Sequence, residues 1–197
     1  ARLETWLTNR RFKSQRAALE QLVASAAGGD AQALDELSDA FARTLPIGTG
    51  GRRGPVGPGP NRINDVVIRE TAIGVAHALK REGVPESVAI LYDTRAGSRV
   101  FALEVSVQLA HFGIKSLLVD APRPTPQLSF LVRSRGCGYG IVISASHNPA
   151  GDNGIKIYGP DGAQVLGDRD AMLMKAILAA ADMPLPEVTS MAIAENM

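Results

Sequence analysis

The chain has 197 residues, 45% of them hydrophobic, and its Lys+Arg 21 against Asp+Glu 20 leave a formal net charge of +1. That apolar content can build a core, which excludes a wholly disordered chain, and the single cysteine, Cys137, excludes an intrachain disulfide framework. The balanced charge gives no global electrostatic case for nucleic acid or an anionic membrane surface, so any anion site has to be local.

Residues 5–26 place Trp6, Leu7, Phe12, Leu19, Leu22 and Val23 at helical spacing and predict one helix, stopped by AAGGD at 26–30. Asp30 is placed to cap a second helix bearing Leu34, Leu37, Ala40 and Phe41, which makes a helical hairpin with Trp6 as a packing anchor. LPIGTGGRRGPVGPGP at 45–60 holds too many glycines and prolines for a helix or a central strand. Asn64 caps the next helix, with Ile68, Ala72, Val75, Ala76 and Leu79 on one face. Glu70, Gly74, His77 and Arg81 fall on the other, which reads His77 as a solvated surface histidine.

VAILYD at 88–93 has the profile of a buried strand. An almost wholly apolar helix follows at 98–111, relieved by a polar stripe of Glu104, Gln108 and His111. Then come a strand at 115–119, a helix near 126–134 with Thr125 as cap, and a strand at 138–143 whose approach holds Cys137 as a buried, unreactive thiol. IKIYG with the DG at 161–162 reads as a short hairpin, and a last helix spans 168–181 before a Pro-containing tail. The alternation of helix and strand predicts an α/β fold: a three-layer α/β/α sandwich with a mostly parallel mixed sheet, preceded by the N-terminal helical hairpin. In such sheets functional loops leave the carboxyl ends of the strands, which gathers YDTRAGS, DAPRPTP and SASHNPAGDNG on one edge. No stretch reaches the roughly 20 apolar residues of a membrane span and no signal peptide is visible. With the lone cysteine, this gives a cytoplasmic expectation.

Ser146 is the sharpest chemical candidate. A serine hydroxyl needs a base or strong electrostatic help to react. Its neighbour His147 would point the opposite way in an extended segment, and G-x-S-x-G is absent, which disfavours a serine hydrolase. Lys156 attracts attention because burial or nearby cations can bring a lysine toward neutrality. Asn148, Asn153, Gly151 and Gly154 suit a tightly turning loop that presents N–H groups to an anion. Such a loop is also what a plain surface turn looks like, and the residues alone leave both readings open. In GTGGRRG the glycines would let amides approach an oxyanion while Arg52 or Arg53 grips phosphate; the competing reading is a linker. Asp93 and Arg95 either pair locally or serve the site directly. No metal-ligand spacing is present, so any Mg²⁺ must draw most of its oxygens from elsewhere.

SASHNP at 144–149, GDNGIK at 151–156 and IGTGGRRG at 47–54, with YDTR and PTP in order between them, closely resemble the first domain of the α-D-phosphohexomutases, the phosphoglucomutase/phosphomannomutase family. Ile47 and Ser144 depart conservatively from that pattern. The resemblance implies an N-terminal extension at 1–44, domain I at 45–182 and a linker or tail at 183–197. It implies a phosphoserine at Ser146 that passes its phosphoryl group to a sugar monophosphate through a bound bisphosphate. Lys156 would be the general base or acid, Arg53 would contact the transferring phosphoryl region and His147 would position substrate. Arg52, Asn148, Asn153 and Arg95 would bind phosphate or substrate. The implied cofactors are Mg²⁺, ligated here only through the phosphate of Ser146, and a sugar bisphosphate activator. The implied partners are a sugar monophosphate and the remaining domains of a longer enzyme, without which this chain would be inactive. The competing expectation is a non-catalytic phosphate-binding or assembly domain that keeps the loop as scaffold.

Overall fold

The computed structural model describes residues 2–46, 51–181 and Met183. Ile47, Gly48, Thr49 and Gly50 of the glycine-rich stretch, and the tail apart from Met183, lie outside the described residues. The predicted first helix is divided: α1 (Arg2–Thr8) and α2 (Lys13–Ala27) flank a 3₁₀ turn at Arg10–Phe12. The break sits at Asn9, whose side chain accepts from the Arg11 N–H and so diverts the backbone from helix at that point. Asp30 caps α3 (Ala31–Ala42) as its position predicts, accepting from the N–H groups of Gln32 and Ala33. Trp6 stacks on Phe12 with ring centroids 4.2 Å apart, and these two pack with Leu19 and Val66 into a small core of their own.

β1 (Arg52–Pro55) opens the sheet, and α4 (Asp65–Glu82) follows, its first turn closed by Asn64 accepting from Val67 N–H. Next come β2 (Ser87–Tyr92), α5 (Ser98–His111), β3 (Lys115–Leu118), α6 (Thr125–Arg135), β4 (Tyr139–Ile143), β5 (Asp152–Tyr158) and α7 (Asp168–Ala180). The strand order is β1-β5-β4-β2-β3. β2 pairs in parallel with both β3 and β4, while β5 runs antiparallel to β4 and to β1. Four strands therefore share one direction and β5 alone reverses.

The larger core lies between the sheet and α4, α5 and α7, built on Ile68, Leu79, Ile90, Leu109, Ile141 and Ile177. α6 covers the opposite face through Leu128 and Val132 against Leu91 and Val142, which completes the third layer. The chain crosses from β2 to β3 by α5 and returns past β2 to β4 by α6. Helices on opposite faces are what right-handed crossovers in opposite directions require. The order of strands thus reverses between β2 and β4, and a crevice opens at their carboxyl ends.

Further local expectations change in the fold. The hairpin at 155–162 is not separate: its first arm belongs to β5, in the main sheet, and only the turn with the Tyr158–Gln164 bridge lies beyond. β5 is too polar at Asp152 and Asn153 to look like a buried strand, because those two residues serve the loop edge. Thr125 is inside α6 rather than its cap, since the helix starts one residue earlier after Pro124. The face of α4 with Glu70 and Gly74 is not solvated, because α7 lies across it. A Cβ on Gly74 would sit 2.3 Å from Ile177 Cγ1 and 2.7 Å from its Cα, so the two helices touch where only a hydrogen fits. His77 is accordingly half-buried, its ring edge-on to Phe112 at 5.2 Å. Gln108 of the predicted polar stripe is fully buried, while Glu104 pairs with Arg69 across the α4–α5 seam at 2.8 Å.

Candidate active site

At the crevice, Asp93 N–H donates to Ile143 O and Arg123 N–H to Tyr92 O, so the loops after β2, β3 and β4 are joined along one edge. β4 ends at Ile143, and Ser144 N–H still donates to Gly154 O at 2.9 Å. Two residues on, Ser146 has φ 60°, and among the described residues it is the one non-glycine with positive φ. That left-handed conformation costs an L-residue about 1–2 kcal/mol, so the loop has to hold it there. It does so by the backbone. Ser146 N–H donates to Ser144 Oγ at 3.0 Å, and Ser146 O accepts from Arg95 Nη2 at 3.0 Å. The side chain is left exposed, as is that of His147.

Arg95 is the clamp of this loop. Its Nη1 donates to the carbonyls of Pro149 (2.5 Å) and Asp152 (3.0 Å), and its Nη2 to those of Ser146 and Asn148 (2.6 Å). Its Nε lies 3.4 Å from Asp93 Oδ2. The four terminal N–H bonds are thereby engaged and Nε faces a carboxylate, which turns the guanidinium inward to the loop and away from the phosphate contact that the sequence suggested. The local Asp93–Arg95 pair and the functional reading thus turn out to be two parts of one arrangement. Asp93 Oδ1 also accepts from Arg95 N–H and from Ser98 Oγ–H, which fixes the start of α5.

Asn153 is fully buried, donating to Ala96 O and Ser98 Oγ and accepting from Gly154 N–H, so it ties two loops together and cannot meet a ligand. Asn148 donates to Asp152 Oδ2 at 2.8 Å and braces the loop from within.

The adjacent arginines Arg52 and Arg53 separate because strand neighbours face opposite sides of a sheet. Arg52 is 2% exposed, donates to Leu45 O, Val67 O and Thr71 Oγ1, and lies 3.8 Å from Glu70 Oε2. It is buried beneath α4, out of reach of phosphate. Arg53 pairs with Gly154 in the β1–β5 register and lies over it; a Cβ at Gly154 would stand 2.7 Å from Arg53 Cγ. Lys156, opposite Val142, shares that half-exposed region. Burial pulls its ammonium below the ordinary pKa, Arg53 adds to the shift, and Asp93 opposes it. Asp93 and Ser144 lie in the motifs YDTR and SASHNP, but the bonds by which they brace Arg95, Ser98 and Ser146 were not legible there.

A depressed folded-state pKa means that the charged form of Lys156 is the costly one in the native protein. The cost is complete below the folded-state pKa and vanishes as pH rises to the ordinary 10.5. Lys156→Met is expected to raise Tm near neutral pH, with the gain shrinking across the interval below 10.5. A gain independent of pH in thermal scans, or a loss, would contradict the assigned environment.

The family model for the phosphoglucomutase/phosphomannomutase α/β/α domain I matches residues 45–183. The chain belongs to that family. It is 44% identical over 144 residues to a phosphoglucomutase of Staphylococcus haemolyticus, and 40% identical over 142 residues to one of Staphylococcus aureus. These alignments take in 73% and 72% of this chain but only 26% of each relative, so the chain spans about a quarter of the curated proteins it matches. Among solved structures, a Thermus thermophilus protein assigned as a phosphomannomutase superposes with a TM-score of 0.62 at 30% identity, covering 75% of this chain and 31% of that one. A phosphoglucomutase/phosphomannomutase family protein of Burkholderia thailandensis gives 0.58 at 25% identity, covering 68% and 30%. Those likenesses agree with the three-layer fold and with a domain I reading.

No group of three or more His, Cys, Asp or Glu that could hold a metal occurs among the described residues, and no described helix is long and apolar enough to cross a membrane. A phosphate on Ser146 would offer an ion an oxygen, but these residues do not form a Mg²⁺ site of their own.

Proposed function

We propose that this chain is the phosphoserine-bearing first domain, residues 45–182, of a cytoplasmic sugar-phosphate mutase, with 1–44 as an N-terminal extension and 183–197 leading to further domains. Its remaining ligands are then a sugar monophosphate, a sugar bisphosphate activator and a Mg²⁺ held mainly by other parts of the enzyme. The observation that carries the reading is the strained, exposed Ser146, two residues beyond Ser144, whose N–H donates to Gly154 O on the strand that faces Arg53 and carries Lys156, a lysine whose ammonium is destabilised.

In the forward half-reaction the P–O bond to Ser146 Oγ breaks as a new P–O bond forms to the free hydroxyl of the sugar monophosphate. Lys156, as general base and then general acid, accepts the hydroxyl proton and delivers it to the departing Ser146 oxygen, so the proton follows the opposite course to the phosphoryl group. The bisphosphate then turns over, and the same steps in reverse return its other phosphate to Ser146. Arg53 steadies the charge on the transferring group, and exposed His147 helps to orient substrate.

The decisive experiment is intact-mass analysis of the full-length protein after exposure to glucose 1,6-bisphosphate. One phosphoryl group is expected on the wild type and none on Ser146→Ala. Phosphate retained by the variant, or absent from both, would refute the assignment.

A further inference from the structure

Arg52 is driven into the protein, and something must keep its charge company. Glu70, itself 9% exposed on α4, lies 3.8 Å from it, and the other oxygen of Glu70 accepts from Arg11 Nη2 at 3.0 Å. Arg11 stands in the N-terminal segment, 41 positions before Arg52 in the chain, and also donates to the carbonyls of Ala180 and Met183 at the end of α7. One carboxylate therefore holds together the extension, α4 and β1, with α7 attached through the same guanidinium.

β1 is the strand on which this matters. It is a four-residue edge strand, and it carries Arg53 next to Arg52. Its entry is tight: Gly51 has φ +91°, and a Cβ there would fall 2.1 Å from Ile155 O and 2.9 Å from Lys156 Cα. A strand so short has few ladder bonds to fix its register on β5, so the buried end of Arg52 supplies a large part of its hold.

We infer that Arg11 is a positioning residue for the site: through Glu70 and Arg52 it fixes β1 on β5 and so sets where Arg53 stands relative to Lys156. The inference rests on the proposed role of Arg53 and Lys156 for its functional meaning, but its geometry does not depend on that role. A buried Arg–Glu–Arg triad stabilises little compared with apolar packing, and the attested use of buried polar groups beyond stability is to fix register. Here the arrangement specified is that of an edge strand with a functional side chain.

The test uses the 197-residue chain. Arg11→Met keeps the aliphatic stem and removes the charge. Amide hydrogen exchange is expected to speed up about tenfold more in β1 and β5 than in β2 and β4, because the charge-assisted bond that holds Glu70 and Arg52 beneath β1 is lost. Arg11→Lys should restore most of the protection. In parallel, the Lys156 ammonium followed by NMR should titrate closer to an ordinary lysine in Arg11→Met, as Arg53 drifts and solvent enters. Equal acceleration in every strand, no acceleration in β1 and β5, or a loosened β1 with an unchanged Lys156 titration would each overturn the inference. Should Arg11→Met fail to fold, Arg11→Gln is read by the same strand-by-strand ratio. None of these readouts needs phosphate on Ser146, so failure of the mutase reading and failure of this inference are told apart.

Discussion

Arg95→Ala is expected to lower phosphoryl transfer through Ser146 by about a hundredfold or more, since catalytic geometry misplaced by about 1 Å costs on that order. The four carbonyls that Arg95 gathers span Ser146 to Asp152, and the Asn148–Asp152 side-chain bond within that span touches none of them. Released from it, Ser146 relaxes out of its left-handed conformation, because the strain of φ 60° has nothing else to balance it at the carbonyl. The loop is largely exposed and water can satisfy the freed carbonyls, so the accompanying loss of stability is small, about 1–2 kcal/mol. Turnover by the mutase to which the chain is proposed to belong, measured beside chemical denaturation, separates these effects. Arg95→Lys should fail to rescue, as one ammonium cannot span a fork of four acceptors and a carboxylate. Near-normal turnover in Arg95→Ala would show that the loop holds its shape without the clamp.

The largest effect on stability is expected from Glu70→Gln. It keeps the volume but removes the carboxylate between Arg52, whose side chain is 3% exposed, and Arg11 at 12%. Burial already pulls the Arg52 guanidinium below its ordinary pKa, and Glu70 is the group that works against that shift. Breaking a buried pair from one side typically costs about 3–5 kcal/mol, because a charge is left without its partner. For a chain of this size the loss corresponds to a fall in Tm on the order of 10 °C. Urea denaturation with an unchanged m-value would confirm that the folded state, not its compactness, has been altered. A loss below about 1 kcal/mol would mean that the carbonyls of Leu45 and Val67 and the Thr71 hydroxyl suffice for Arg52.

Much of the domain was legible without coordinates. The caps at Asp30 and Asn64, the apolar runs that became β2 and β4, and the helix at 98–111 are all set by contacts within a few residues of chain, and such short-range chemistry can be read from spacing. The gathering of three loops on one edge followed from the strand–helix alternation alone. The motif around Ser146 identified the family, which the match over residues 45–183 then showed.

What the residues could not disclose was the part each polar side chain plays. Arg52 and Arg53 are indistinguishable as neighbours in GRRG, and only the pairing of β1 with β5 sends one beneath α4 and leaves the other beside Lys156. Arg95, Asn153 and Asn148 looked like ligands for phosphate, yet Arg95 and Asn153 are bound across more than fifty residues of chain and Asn148 within its own loop. Local sequence determined most of the helices, the buried strands, the caps at Asp30 and Asn64 and the motif around Ser146, because these depend on period and on neighbours along the chain. The tertiary structure decided which cations stay inside, which face the crevice, and how Ser146 is held in its strained turn, because burial and hydrogen-bond partners are set by strands and helices that meet only when the whole domain has closed.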